Sequence, residues 1–181
     1  MDEKSHTHVE RLLNLFIEVL EKLLMATPLR GTDVEVTPSL AHALECIYRH
    51  GVCSVGGIAH ALSITYPAAS QLTDRLVKKG LVSRHESLRD RRLSEIALTD
   101  VGCQVVQRIR EKRREAVMRV LMRMTPESRA SLARDLENFI AAAIEDYKAA
   151  LETCCHCGKE HLDECIVNEV YEAATGTPIP V

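Results

Sequence analysis

The segment from residue 54 to residue 98 constrains the fold more than any other part of the chain. Ser54 opens a short helical stretch, Val55 to Leu62, and Ser63-Ile64-Thr65 is a tight turn. A second helix is predicted from about Tyr66 to Lys79, ended by Gly80. Pro67 falls in its first turn, where a missing N–H costs nothing because those groups have no partner within the helix. Two short helices joined in this way make a helix-turn-helix. Leu81-Val82-Ser83-Arg84 then reads as a strand, and Leu93-Ser94-Glu95-Ile96-Ala97-Leu98 alternates apolar and polar as a half-buried strand does. The polar stretch between them, Glu86-Ser87-Leu88-Arg89-Asp90-Arg91-Arg92, turns the hairpin into a charged wing.

Long helices flank this unit. Residues 8–26 place Leu12, Leu13, Leu15, Phe16, Val19, Leu20, Leu23 and Leu24 at helical spacing, and Thr27-Pro28 and Gly31 break the pattern. After an extended Val34-Glu35-Val36, Thr37 caps a helix with Pro38 at its first position, and that helix stops near Gly51. Thr99 caps a long helix from Asp100 to about Met124, and another is expected from Pro126 to about Leu151. Apolar residues reach 46% with only 3% aromatic and no Trp, a balance of Leu, Ala, Val, Arg and Glu that favours helix. The expected class is mainly α with a small β-wing.

A formal net charge of −3 argues against a nucleic-acid partner until it is divided along the chain. Segment 72–92 carries +4, segment 108–123 carries +5, and segment 151–181 carries −5. A local basic surface steers a protein to phosphates even when the total charge hides it. The 108–123 run reads first as a solvated helix face and only second as a phosphate contact.

The blocks Gly80-Leu81-Val82-Ser83-Arg84, Arg89-Asp90-Arg91-Arg92 and Leu98-Thr99-Asp100-Val101-Gly102 together resemble the wing region of MarR-type regulators. The helix pattern extends the resemblance over residues 8–150. One departure is Ser87, where that family's wing usually begins with Asp. The resemblance implies a homodimeric DNA-binding regulator, a repressor, reading a pseudo-palindromic operator in double-stranded DNA. It also implies a small-molecule effector pocket between the dimer helices and the DNA-binding lobe, although no residue in the sequence marks one. Base edges and nearby phosphates fall to Thr65, Tyr66, Pro67, Ser70, Gln71 and Arg75, since the N-terminal residues of a major-groove helix reach furthest. Lys78, Lys79 and Arg84 are placed for phosphates, and Arg89 matches the arginine that enters the minor groove, with Arg91 beside it. Arg92 reads as a structural residue, pairing with Asp90 or another wing carboxylate to hold the hairpin.

The last segment is acidic and rich in thiols. Cys154, Cys157, His161 and Cys165 read C-x2-C-x3-H-x3-C, a spacing that can close a tetrahedral zinc site. With Cys155 in place of His161 the same window could hold an iron–sulfur cluster, and ligand type alone does not separate the two. The bland alternative is a thiol-based redox switch without metal. Cys46, Cys53 and Cys103 read as small core residues, and His42, His50 and His60 as structural or surface residues.

The domain reading is a dimerisation helix at 1–36, a winged helix-turn-helix lobe at 37–99, long dimerisation helices at 100–151 and a Cys/His-rich metal-binding tail at 152–181. No nucleophile elbow, Gly-rich phosphate loop or paired carboxylates point to an enzyme. Met1-Asp2-Glu3-Lys4 leads into an amphipathic stretch, and no apolar run approaches membrane length, so a cytoplasmic protein with no membrane partner is expected. A winged-helix module that binds protein rather than DNA is the competing reading.

Overall fold

The computed structural model describes residues 3–26, 34–86, 94–157 and 165–179. The wing tip, with Arg89, Arg91 and Arg92, and His161 in the tail lie outside the described residues. The molecule is mostly helical with one small three-stranded antiparallel sheet. No helix among the described residues is long and apolar enough to cross a membrane.

Helix α1 (Glu3–Leu20) widens into a π-helical segment (Glu21–Ala26), so the first apolar stripe is one continuous rod that begins earlier than the sequence suggests. Helix α2 (Pro38–His50) starts as expected, with the Thr37 hydroxyl accepting from Leu40 N at 3.4 Å. Strand β1 (Cys53–Ser54) was not anticipated. It is too short to show alternation, and it pairs with β3 through Cys53 opposite Ile96. Helix α3 (Val55–Ala61) is capped by the Ser54 hydroxyl, which accepts from Gly57 N at 3.0 Å.

Helix α4 (Tyr66–Lys78) follows the turn, with Thr65 as its cap. Helices α3 and α4 end in the same way: Ile64 N donates to Ala59 O and Leu81 N to Leu76 O, each across five residues at 3.0 Å. This closure needs a left-handed residue just past the helix. Gly80 supplies it at φ 68°, whereas Ser63 takes φ 51° without being glycine. The two short helices therefore cross at a fixed turn, and Ala69, Leu72, Thr73 and Leu76 of α4 face the core. Thr73 satisfies its buried hydroxyl by donating to Ala69 O at 2.8 Å.

Strands β2 (Val82–Glu86) and β3 (Ser94–Leu98) form the wing's base, giving the sheet order β1-β3-β2. Thr99 locks the base to the next helix: its hydroxyl accepts from Gly102 N at 3.0 Å and donates to Gly80 O at 2.7 Å. Gly102 has a separate reason to be glycine, since a Cβ there would sit 2.0 Å from Leu81 O. One core joins these parts, with Leu44, Ile47, Ile58, Leu76, Leu81, Ile96, Val106 and Ile109 in it.

Helix α5 (Asp100–Leu121) packs on α2 and on the π-helical segment. The last long helix differs from expectation. It is broken into α6 (Pro126–Ala143) and α7 (Tyr147–Cys157), with Ile144 extended at ψ 100° between them. Asp146 restarts the chain by capping, its carboxylate accepting from Ala149 N at 2.8 Å. The break lets Ala150 reach a small second core with Val167 and Ile179. Val167 comes from α8 (Ile166–Thr175), an ordered helix in a segment that composition alone left featureless.

Candidate nucleic-acid interface

The outward face of α4 is the free surface of the helix-turn-helix. Tyr66, Pro67, Ala68, Gln71, Arg75 and Lys78 are exposed, Tyr66 at 62%, while Ser70 and Lys79 are half-buried. Thr65 is engaged as the cap, its hydroxyl accepting from Ala68 N at 3.4 Å, which leaves it at the leading end of the helix. Polar and cationic side chains thus occupy the face that a groove would receive, and the apolar face is spent on the core.

Asp74 is the one carboxylate on that face, and it would repel phosphate. Arg84 of β2 reaches across to it, Nη1 to Oδ1 at 3.1 Å. Arg84, expected at phosphate, pairs with Asp74 in this structure and ties the wing to α4. Both side chains are well exposed, so the pair adds little stability and acts mainly on local charge.

The basic run on α5 is not simply a solvated face. Arg110 turns inward, its Nε 2.7 Å from Oε1 of the buried Glu45 and its guanidinium 4.2 Å over the Tyr48 ring. Arg113 donates from Nε to the Leu24 carbonyl at 2.7 Å, joining α5 to the π-helical segment. Burial holds its pKa below the usual arginine range.

These contacts frame a cavity of about 850 Å³. His42, Glu45, Cys46 and Arg49 of α2 line it, with Cys53 of β1, Arg113 of α5, Leu24 of the π-helical segment and Leu151 of α7. The Nε of Arg49 is buried with no hydrogen-bond partner among the described residues. Burial, then the charges of Arg113 and Arg49, hold His42 below its ordinary pKa, leaving it neutral at neutral pH. The sequence reading did not find this cavity. Its signal was there: His42, Glu45, Cys46 and Arg49 repeat at helical spacing on an otherwise buried helix, a polar stripe where a core stripe belongs.

In the tail, Cys154, Cys155 and Cys157 fall in the last turns of α7, and Cys165 stands half-buried immediately before α8, against the second core. Among the described residues no group of three His, Cys, Asp or Glu side chains is placed to hold a metal ion.

A capped helix pair, a three-stranded wing base and long flanking helices define a winged helix-turn-helix protein. The MarR family model matches residues 36–94, from the start of α2 to the second wing strand. The HTH-type transcriptional repressor MdtR of Bacillus subtilis is 28% identical over 134 residues, 74% of this chain and 84% of that protein. The crystal structure of the Bacillus subtilis YusO protein shares the fold with a TM-score of 0.66 at 25% identity, covering 79% of this chain and 99% of that one. Streptococcus pneumoniae FabT, solved in complex with DNA, shares the fold with a TM-score of 0.62 at 21% identity, over 75% of this chain and 94% of that one. The chain is thus similar to the MarR family across its winged helix-turn-helix, and the relatives it matches in sequence are transcription regulators.

Proposed function

We propose that this chain is a homodimeric transcriptional repressor that binds a pseudo-palindromic operator in double-stranded DNA through α4 and the wing. The observation that carries this reading is the free face of α4. It offers Tyr66, Pro67, Gln71, Arg75 and Lys78 from a helix whose other side is locked into the core. Gln71 is suited to adenine, Ser70 and Thr65 to bases or phosphates, and Lys78 and Lys79 to phosphates. Arg89 and Arg91 of the wing tip complete the reading through the minor groove.

The test is a pair of variants measured on specific and scrambled duplexes at several salt concentrations. Gln71→Ala should cost about 1–3 kcal/mol on the operator and little on scrambled DNA. Lys79→Ala should weaken both alike and reduce the salt slope by roughly 1. Equal losses for both variants on both duplexes would remove Gln71 as a base reader. A free face that binds no duplex DNA at low salt would favour the protein-interaction module instead.

The cavity is the effector site in this reading. Its cations, with the unpartnered Nε of Arg49 among them, suit a small anionic ligand. Its walls come from α2 and β1 on one side and from the flanking helices on the other, so occupancy would bias how the lobe sits against the dimer helices.

The tail completes the proposal. Cys154, Cys157 and Cys165, with His161 or Cys155, bind zinc or an iron–sulfur cluster. The fit rests on the thiol donors and on their C-x2-C-x3-H-x3-C spacing from the end of α7 to the start of α8. Leu151 of that helix lines the cavity, so the metal and effector sites share one element. Protein purified anaerobically without chelator should hold about one equivalent of zinc or a cluster, lost in Cys157→Ser. Less than about a tenth of an equivalent would leave a thiol switch as the reading of the tail.

A further inference from the structure

Cys46 and Cys53 make a second thiol pair, apart from the tail and unused by the function proposed above. They come from different elements, α2 and β1, and meet at the cavity wall. Neither is in a disulfide, and they are 7% and 8% exposed. The hydrogen bond between Cys53 and Cys46, reinforced by burial, pushes the Cys53 thiol up. The Cys53 thiol therefore stays protonated at neutral pH, and a protonated thiol is a slow nucleophile. The result is a polarisable S–H···S pair facing an open cavity.

The surroundings decide what such a pair can hold. Arg49 and Arg113 line the same cavity, with His42, His50 and His60. Among the described lining residues two guanidinium groups stand against one carboxylate, Glu45, which Arg110 also binds at 2.7 Å. Positive charge is thus in excess around two soft donors. A tetrahedral divalent ion needs four ligands, and no third His, Cys, Asp or Glu among the described residues is placed to join the pair. An ion satisfied by two thiolates, whose complex is an anion, fits both facts.

We propose that Cys46 and Cys53 bind one soft monovalent ion, Cu(I), as a two-coordinate dithiolate on the wall of the cavity. Thiolate ligands select Cu(I) over harder ions. The ion displaces both thiol protons to solvent, giving an S–Cu–S unit of charge −1, and neither copper nor sulfur changes oxidation state. Arg49 and Arg113 offset that charge. Cys53 is followed directly by Ser54, the cap of α3, and pairs with Ile96 of β3. Ligation therefore pulls on the first helix of the helix-turn-helix and on the wing strand together. Only this coupling to DNA rests on the function proposed above; the binding does not.

The experiment titrates full-length protein with Cu(I), anaerobically, against the chromophoric chelator bicinchoninate. The tail thiols are removed by Cys154→Ser, Cys155→Ser, Cys157→Ser and Cys165→Ser. One Cu(I) per chain should be retained, and Cys46→Ala or Cys53→Ala should each weaken binding at least about 100-fold. Loss of two protons per ion should raise affinity about 100-fold per pH unit near neutrality. If the tail-substituted chain does not fold, Cys53→Ala in the natural chain must lower the copper count by one equivalent. Copper that is not retained, or is retained equally by both alanine variants, overturns the proposal. So does a Cys46–Cys53 disulfide found by mass mapping with copper released. Bound copper with unchanged operator affinity overturns the coupling to DNA.

Discussion

Ser63 is a residue whose conformation its side chain does not favour. It holds φ 51° at the turn between α3 and α4, where the matching turn after α4 uses Gly80. A non-glycine residue in the left-handed region costs about 1–2 kcal/mol, and glycine pays back roughly 0.5–1 in chain entropy. Ser63→Gly should therefore stabilise the fold by about 0.5–1 kcal/mol, read from the urea midpoint at unchanged m-value. Destabilisation would mean that the hydroxyl does something the turn geometry does not require. His42 gives a second prediction at this scale. Its folded pKa lies below the ordinary value of 6.5, so in the window below that value the unfolded chain holds more protons. Stability is fully present above that window and falls as pH drops through it. His42→Gln should flatten that loss, compared by urea unfolding at about pH 7.5 and about pH 5.5. An unchanged slope would assign the acid sensitivity elsewhere.

At the scale of elements, the caps were legible and the packing was not. Thr37, Ser54, Thr65, Thr99 and Thr125 each begin a helix with the hydroxyl bonded as such residues bond. Cap chemistry is local, so one sequence suffices to read it. The break between α6 and α7 escaped notice because Ala141-Ala142-Ala143 carries no breaker, and the apolar period runs on. What ends the helix is tertiary: Ala150 is buried only if the chain turns toward Val167 and Ile179. The sole local hint was Asp146, a capping residue inside a helical pattern. Asp146→Ala should remove its bond to Ala149 N and cost about 1 kcal/mol in the α7–α8 unit, with α2–α5 unaffected. Amide exchange would show it as lost protection confined to residues 147–175. Protection lost throughout would mean that the two cores unfold together. The inward turn of Arg110 and Arg113 escaped for a related reason, since their partners Glu45 and Leu24 lie 65 and 89 residues away.

At the scale of the molecule, what stands out is apolar surface with nothing over it. Leu12, Leu15, Phe16 and Val19 of α1 are all at least 38% exposed, and α6 has no buried residue at all. Phe139 of α6 is 53% exposed, with Leu136 and Ile140 exposed nearby. The winged lobe, by contrast, buries a continuous core with α5. Apolar faces of this extent on otherwise amphipathic helices are what a two-fold partner covers. A dimer would also hold two copies of α4 at a fixed separation, which one copy cannot do. The wild-type protein should sediment at twice the 20.2 kDa of the chain. Phe139→Asp puts a charge in the middle of that surface, where it would be buried unpaired, and should convert the protein to monomer. The α2–α5 core does not include Phe139, so the far-ultraviolet spectrum and the unfolding of the lobe should survive. The variant should bind a full operator no better than a half-site, losing at least about tenfold in affinity because the second recognition helix is no longer tethered. A Phe139→Asp protein that stays dimeric would move the interface off α6. One that becomes monomeric yet keeps full operator affinity would show that a single lobe suffices for DNA recognition.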